Sequence, residues 1–254
     1  MAGRAGRICA GLAGLALGVL ALAAPPSAQT AAEAATTPTE ARFTVTIAGL
    51  RAAELAMQAT VTQTGYAAAG NLRSTGLIGL VAPITYQAEV QGRRSGPRFQ
   101  PRRYTAAAFT GDRRSAGVME YRGRTPLLKR YDPPRSLDPY GLNPATQAGT
   151  VDPMTAIFAT LRDQPLGELC RLQLQVFDGA RRSQVTVTAP VRQGDRIACA
   201  GEYRRVDGFP PEAMAERQSF PFRVTYAPSG QDDLWQVAEI ETDTTFGRAR
   251  ITRK

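Results

Sequence analysis

Few of the residue types that could do chemistry are present in this chain. It contains no histidine, which excludes Ser-His-Asp and Cys-His catalysis, histidine-bound zinc and an imidazole proton shuttle. We find no G-x-S-x-G, P-loop or EF-hand motif. Carboxylate chemistry stays open, because there are 22 Asp and Glu residues and glycoside hydrolysis needs only two of them suitably placed. No such pair stands out in an apolar setting. We therefore expect a protein that is not an enzyme and uses no cofactor, and keep a carboxylate-dependent hydrolase as an alternative.

Two of the three cysteines are the next candidates for chemistry. Cys9 lies in an N-terminal segment that we interpret below as a signal peptide, so Cys170 and Cys199 remain in the exported chain. An even pair in an oxidising compartment indicates a disulfide. The competing interpretation is a metal or redox pair, but thiol redox chemistry favours C-x-x-C spacing and a metal needs further ligands. We predict a Cys170–Cys199 disulfide.

Positive charge is concentrated in one segment. Between Arg93 and Arg135 there are twelve basic and three acidic residues, a net charge of +9 that equals the formal charge of the whole chain. Nearly all of these cations are arginines, whose planar guanidinium binds phosphate and carboxylate groups. Arg93, Arg94, Arg102 and Arg103 are therefore candidate ligand-binding residues. The alternative is that these arginines fill solvent-facing strand positions.

The N-terminus has the organisation of a secretory signal. Arg4 and Arg7 precede an uncharged run and a small-residue exit that ends at Ala28. The run is short and rich in Ala and Gly, which favours a cleaved signal over a membrane-spanning helix. We predict a signal peptide over 1–28, a flexible leader over 29–41 and a single β-rich exported domain over 42–254. The expected location is the periplasm, without a stable transmembrane segment after cleavage and without a nucleic-acid partner.

Short runs with alternating apolar and polar residues recur along the domain. They begin with Phe43-Thr-Val-Thr-Ile47 and are separated by Gly and charged residues, as at Thr110-Gly-Asp-Arg113. This spacing predicts a mainly β protein, an antiparallel meander that forms a curved sheet or half-barrel. The run Gly76–Pro83 does not alternate. We expect it to pack on the core as a short buried helix or loop, with the lining of a ligand cavity as the alternative.

A single helix is predicted after a proline-rich crossing from Asp132 to Thr150. Asp152 suits the N-cap and Pro153 the first helical position, and Pro165 with Gly167 should end the helix. We expect it to be amphipathic and to pack against the sheet. Its apolar stripe, expected to be core, is Met154, Ile157, Phe158 and Leu161.

Several motifs together resemble the exported bacterial family called domain of unknown function 3108. They are Ile47-Ala-Gly-Leu50, Val151–Phe158, Val176–Arg182 and Cys199-Ala-Gly-Glu-Tyr203. The resemblance covers about Phe43 to Lys254 and implies a β-rich periplasmic domain without supplying catalytic residues. A looser architectural similarity is to the half-barrels of periplasmic lipoprotein carriers, and this concerns the fold alone.

These observations favour a non-enzymatic protein of the cell envelope that binds an apolar or lipid-like ligand. The first alternative is a structural or interaction domain that docks on an envelope protein or on peptidoglycan. The second is the carboxylate-dependent hydrolase, acting on envelope glycans.

Overall fold

The computed structural model describes residues 39–134, 138–231 and 233–254. The predicted signal peptide over 1–28 and most of the predicted leader lie outside the described residues. The end of that leader was placed too late, because a strand begins at Thr39 and the side chain of Ala41 is already buried in the core.

Fourteen strands form a single antiparallel sheet. In chain order they are β1 (Thr39–Ile47), β2 (Leu50–Val61), β3 (Gly65–Ser74), β4 (Ile84–Ser95), β5 (Arg98–Thr110), β6 (Arg113–Arg122), β7 (Thr125–Asp132), β8 (Gln164–Pro165), β9 (Leu172–Phe177), β10 (Arg182–Gln193), β11 (Arg196–Asp207), β12 (Ser219–Pro228), β13 (Leu234–Thr244) and β14 (Gly247–Arg253). The pairing order runs from β7 back to β1, then from β14 back to β9, and the short strand β8 pairs with β13. The predicted antiparallel meander is confirmed.

The first and last strands of the domain are neighbours at the middle of the sheet. Phe43 on β1 lies opposite Leu55 on β2 and opposite Arg253 on β14. Its side chain is fully buried, as the alternating pattern of β1 predicts. The β1–β14 ladder therefore joins an N-terminal half, β1 to β7, to a C-terminal half, β9 to β14.

Irregularities in register let this long sheet curve. Register shifts occur in five of the strand pairs along the path, for example between Gln91 and Gly92 on β4 and between Thr225 and Tyr226 on β12. Such bulges bend a strand and increase its twist. The result is a barrel-like sheet whose concave side holds the core.

The ladder stays open between β7 and β9 within the described residues, and the crossing segment fills this gap. The N–H of Gly149 donates to the carbonyl of Arg124 next to β7, over 2.9 Å. Val151 donates to Gln175 of β9 and accepts from Phe177, both at 2.8 Å. The segment that leads into the helix therefore completes the wall by hydrogen bonds to both sides.

The predicted helix lies inside this wall. It spans Pro153–Leu161, after a six-residue helix α1 (Gly76–Val81), and is α2. The side chain of Asp152 accepts from the N–H of Thr155, which confirms the predicted N-cap. The helix ends at Leu161, before the predicted stop at Pro165 and Gly167, because Arg162 is already extended. Seven of its nine residues are buried, so α2 is enclosed on nearly all sides rather than packed by one amphipathic face.

The apolar stripe of α2 divides into two parts. Met154, Phe158 and Leu161 are core residues, as predicted. The ring of Phe158 stacks on Tyr66 with centroids 5.8 Å apart and meets Phe99 edge-on at 5.1 Å, a geometry that aromatic pairs favour. Ile157 is half-buried and faces an interior cavity.

Helix α1 contradicts the expectation for the Gly76–Pro83 run. The run is helical, but none of its residues is buried. Leu77, Leu80 and Val81 are 73%, 81% and 84% exposed. Instead of packing on the core, this run displays its apolar side chains to solvent.

Cys170 and Cys199 form the predicted disulfide, with Cα atoms 5.6 Å apart. Cys170 lies in the turn before β9, whereas Cys199 lies in β11 between Pro190 of β10 and Val224 of β12. Both side chains are buried. The bridge therefore fixes the turn after α2 to an inner strand, two positions from the edge strand β9.

Candidate functional site

The concave side of the sheet encloses a cavity of about 720 Å³, within the range of small-molecule sites. We call it the large cavity. Helix α2 forms one side, and strands from both halves of the sheet form the rest. The lining is mainly apolar and includes Leu55, Leu72, Ile157, Val185, Phe220, Phe222, Ile240 and Ile251.

Strand alternation places these side chains in the cavity. Ile240 of β13 and Ile251 of β14 lie opposite each other in register and both line it. Phe220 and Phe222, two residues apart on β12, also point to this side. Phe220 and Phe222 therefore share one face of β12.

A glycine makes room for one of these rings. Gly201 of β11 lies opposite Phe222 of β12. A Cβ atom built on Gly201 would lie 2.1 Å from the Phe222 ring, which is far inside van der Waals contact. The ring therefore covers the Gly201 backbone, and any larger residue would displace it.

The cavity opens at one end of the barrel. Thr244 and Thr245, in the β13–β14 turn, are among its lining residues. Glu216 and Arg217, at the end of helix α3 (Pro211–Glu216), also line it. We call this opening the mouth.

Two arginines lie at the mouth against an aromatic ring. The guanidinium carbons of Arg205 and Arg217 lie 4.9 Å and 4.7 Å from the centroid of the Phe220 ring. Arg205 also donates to the carbonyls of Ala213 and Arg217, at 2.5 and 2.9 Å. Neither arginine forms an ion pair within the described part of the chain. The opening of the apolar cavity thus contains two guanidinium groups without an ion-pair partner in the described chain, together with the acidic residues Glu216 and Asp243.

Beneath α2 lies a buried polar cluster that does not reach the cavity. Asp152 is completely buried and accepts from both the N–H and the hydroxyl of Thr155, at 2.9 and 2.6 Å. The hydroxyl oxygens of Thr155 and Tyr66 are 2.7 Å apart. Burial raises the pKa of Asp152 from 3.8 to about 6, against the lowering effect of the Thr155 hydrogen bonds. This cluster caps the helix and ties it to β3.

The carboxylates of the large cavity lie at its mouth. They are Glu216 and Asp243. Asp243 is highly exposed and pairs with Arg248 at 3.5 Å. An acid for glycoside hydrolysis usually has its pKa raised by an apolar setting, and these positions are not apolar. No group of three or more Cys, Asp or Glu residues suited to a metal occurs among the described residues.

The structure divides the four candidate arginines, with Arg93, Arg102 and Arg103 exposed on the paired strands β4 and β5 and Arg94 on the other face of the sheet. Arg93 and Arg94 are successive residues of β4, and Arg93 is exposed whereas Arg94 lines a separate cavity of about 270 Å³ with Phe99 and Phe158. Arg102 is exposed, and Arg103 pairs with Glu120 at 2.5 Å. None of the four lines the large cavity. They lie toward the β4–β5 turn, at the end opposite the mouth.

Sequence reasoning missed Arg205 and Arg217 at the mouth. For Arg205 the only signal was alternation, since Tyr203 and Arg205 of β11, like Phe220 and Phe222 of β12, are two residues apart. Such a pattern predicts a shared face, but it does not show that the face borders a cavity. Arg217 does not fit this alternation and had no such signal.

The fold and site define a barrel-like β domain with an apolar interior cavity and one enclosed helix. The family model "Protein of unknown function (DUF3108)" matches residues 42–250, and the chain belongs to this family. The resemblance that the sequence motifs indicated is thereby confirmed.

Among solved structures, the chain is similar to a β-barrel-like protein of domain of unknown function DUF1849 from Brucella abortus. The two are 12% identical, and the match covers 86% of this chain and 96% of that one with a TM-score of 0.45. No curated protein matches the sequence. Among the described residues, no helix has both the length and the apolar character to cross a membrane.

Proposed function

We propose that this protein is a non-enzymatic binding protein of the periplasm that holds an apolar, lipid-like ligand in the large cavity. The observation that carries the proposal is the cavity itself, about 720 Å³ of mainly apolar space with an opening at one end. The periplasmic location is supported by the basic and apolar N-terminal segment and by the buried disulfide.

The energetics suit a flexible apolar chain. Burial of one methylene is worth about 0.8 kcal/mol, so a chain that buries about ten of them gains roughly 8 kcal/mol. Association costs about 4 to 15 kcal/mol in lost freedom of motion. A preformed cavity brings that cost toward the low end, because its wall is fixed by β ladders, the disulfide and an enclosed helix.

The charges at the mouth favour an anionic head group. Arg205 and Arg217 lie against the Phe220 ring without an acidic partner in the described chain. A head group with a phosphate or carboxylate would receive charge-assisted hydrogen bonds there. This assigns to Arg205 and Arg217 the role that the sequence had given to Arg93, Arg94, Arg102 and Arg103.

The test is native mass spectrometry of the protein purified gently as its own cells produce it, compared with a variant whose cavity is filled. Val185→Trp places a large ring in the cavity. Val191→Trp makes the same change on the same strand, at an exposed position outside the cavity. We expect an extra mass that organic extraction identifies as lipid in wild type and V191W, and its loss in V185W. A bare polypeptide mass for the wild type would refute the proposal.

The exposed apolar helix α1 favours a second candidate, a domain that docks on another envelope protein. This candidate needs no ligand in the cavity. Cross-linking in cells that joins α1 to one dominant protein, together with a bare polypeptide mass, would favour it over the binding protein.

A further inference from the structure

Exposed apolar side chains are concentrated at the mouth end. Ten large apolar side chains of the described chain are exposed. Six of them lie on α1, at the start of β4, and at the β1–β2 and β13–β14 turns. We call these six the apolar rim: Leu50, Leu77, Leu80, Val81, Ile84 and Phe246.

Hydrogen bonds show that these pieces are neighbours. Ala48, in the β1–β2 turn, donates its N–H to the carbonyl of Arg248 beside the β13–β14 turn, over 3.0 Å. Thr75, the N-cap of α1, donates to Ala52 of β2 over 2.8 Å. Gly111 of the β5–β6 turn donates to Pro83, one residue before Ile84, over 2.8 Å. The apolar rim therefore follows one continuous edge of the barrel.

This edge borders the mouth of the large cavity. Thr244 and Thr245 line the cavity, and Phe246, the next residue, is 79% exposed on the rim. The cavity and the apolar rim are thus adjacent at this turn, with the polar Thr244 and Thr245 between the apolar interior and Phe246.

Cations flank the rim. Arg113 and Arg114 begin β6 directly after the β5–β6 turn, and neither forms an ion pair within residues that the structure describes. Arg51 and Arg248 sit beside Leu50 and Phe246, in exposed pairs with Glu54 at 3.9 Å and Asp243 at 3.5 Å. Apolar side chains beside exposed arginines match an anionic bilayer surface, where the former insert among acyl chains and the latter meet head groups.

We propose that the apolar rim docks on an anionic lipid bilayer, so that the mouth of the large cavity opens toward the acyl chains and the lipid-like ligand passes between membrane and cavity. This inference rests on the proposed function, because it makes the rim the route for the cavity's ligand. It commits to a bilayer rather than a protein because the rim lies beside Arg113 and Arg114, two basic residues that form no ion pair within the described chain.

The test measures flotation of the protein with unilamellar vesicles of phosphatidylcholine, with and without phosphatidylglycerol. Leu80→Glu and Val81→Glu each place a charge on the rim. Leu166→Glu and Val191→Glu are matched controls, since these residues are 52% and 56% exposed and lie away from the rim. We expect each rim variant to lower the vesicle partition constant by about tenfold or more, and the controls to leave it unchanged.

A separate variant tests how much the arginines contribute to vesicle binding. Arg113→Gln combined with Arg114→Gln should weaken binding to vesicles that contain phosphatidylglycerol, by about fivefold per arginine in low salt. Binding to pure phosphatidylcholine should not change. Thermal unfolding of every variant should match the wild type, because all of these side chains lie at the surface.

Two readouts separate failure of this inference from failure of the proposed function. L80E should lose vesicle binding but still gain the extra mass in native mass spectrometry when lipid is supplied in detergent rather than from a membrane, whereas V185W should fail to gain the mass and keep vesicle binding. Equal flotation of wild type and L80E, or equal losses in L80E and L166E, would overturn the docking inference. Cross-links from α1 to one protein, without vesicle binding, would assign the rim to a protein partner instead.

Discussion

The buried carboxyl of Asp152 makes the stability of this protein depend on pH in a direction opposite to that of most acids. Its side chain is fully buried and hydrogen-bonded only within the α2 cap, to Thr155. Burial raises its pKa from 3.8 to about 6. Between these two values the folded state therefore holds a proton that the unfolded state has released.

The direction in which stability changes with pH follows from this difference in bound protons. Well below pH 3.8 the carboxyl is protonated in both states, so it does not make stability depend on pH there. As pH rises from 3.8 to about 6, the folded state is progressively penalised, because ionisation requires a buried charge. A shift of about two pKa units corresponds to about 3 kcal/mol. Above about pH 6 the free-energy cost of the buried charge is present in full, and this carboxyl no longer makes stability change with pH.

Asp152→Asn removes the ionisation and keeps the cap. Asn is as good an N-cap residue as Asp. Its amide oxygen can accept from the Thr155 N–H, and its amide nitrogen can donate to the Thr155 hydroxyl, which then donates to Tyr66. We expect D152N to be more stable than the wild type by up to about 3 kcal/mol at pH 7.5. At pH 4 the two should differ by less than about 1 kcal/mol.

The assay is urea unfolding of both proteins from pH 4 to pH 8 with the disulfide intact. The pKa values of Glu54 and Glu202 are lowered by hydrogen bonds, to Lys254 and Ser219 first, but their effects are common to both proteins and cancel in the difference. Asp152→Ala is the control for the cap and should destabilise at every pH, by about 1 to 2 kcal/mol. If D152N were less stable than wild type by the same amount at pH 4 and pH 7.5, the reasoning would be refuted, since the carboxyl would then act only through its shape and hydrogen bonds.

Two further predictions concern packing and the crosslink. Gly201→Ala should destabilise by about 1 to 3 kcal/mol, because its Cβ would overlap the Phe222 ring, whereas Gly117→Ala, whose Cβ would have 3.8 Å of space, should be tolerated in the same thermal melts. The Cys170–Cys199 bridge closes a loop of 29 residues in sequence separation, so replacing both cysteines by Ser should cost roughly 3 to 4 kcal/mol. Thiol titration of the denatured, unreduced protein without its predicted signal segment should find no free thiols, and two free thiols would contradict the crosslink.

Local patterns were sufficient to predict most of the sheet and the start of α2. Alternation in β1 predicted a strand with one apolar face, and Phe43 on that face is buried in the core. Asp152-Pro153 marked the helix start, because N-cap chemistry depends on a few adjacent atoms. The enclosure of α2 was not predictable in the same way. It depends on how far the sheet curves, and therefore on register shifts that no short pattern specifies.

One sequence expectation was wrong and another, for the candidate arginines, stays untested, and the two cases have different physical origins. Burial of the Gly76–Val81 run was inferred from composition, but an apolar run is equally compatible with display at a surface. For the arginines, alternation along β4 alone separates Arg93 from Arg94 onto opposite faces. The register shift between Gln91 and Gly92 then alters which side chains on β5 share a face with them, and this bulge has no clear sequence signal.

The polar cap and the apolar cavity lie on different sides of helix α2. The buried acid of the cap is therefore kept away from the apolar cavity. Thr155 ties α2 to Tyr66 of β3 on one side, and Ile157 presents an apolar side chain to the large cavity on the other. A helix of nine residues is marginal by itself, so its position must come from such contacts. By fixing α2, the Asp152–Thr155–Tyr66 cluster keeps the cavity preformed, and a preformed cavity spares the ligand the cost of ordering its own site. Under the proposed function, D152N, which preserves this connection, should retain the extra mass in native mass spectrometry, whereas D152A, which breaks it, should lose that mass more readily.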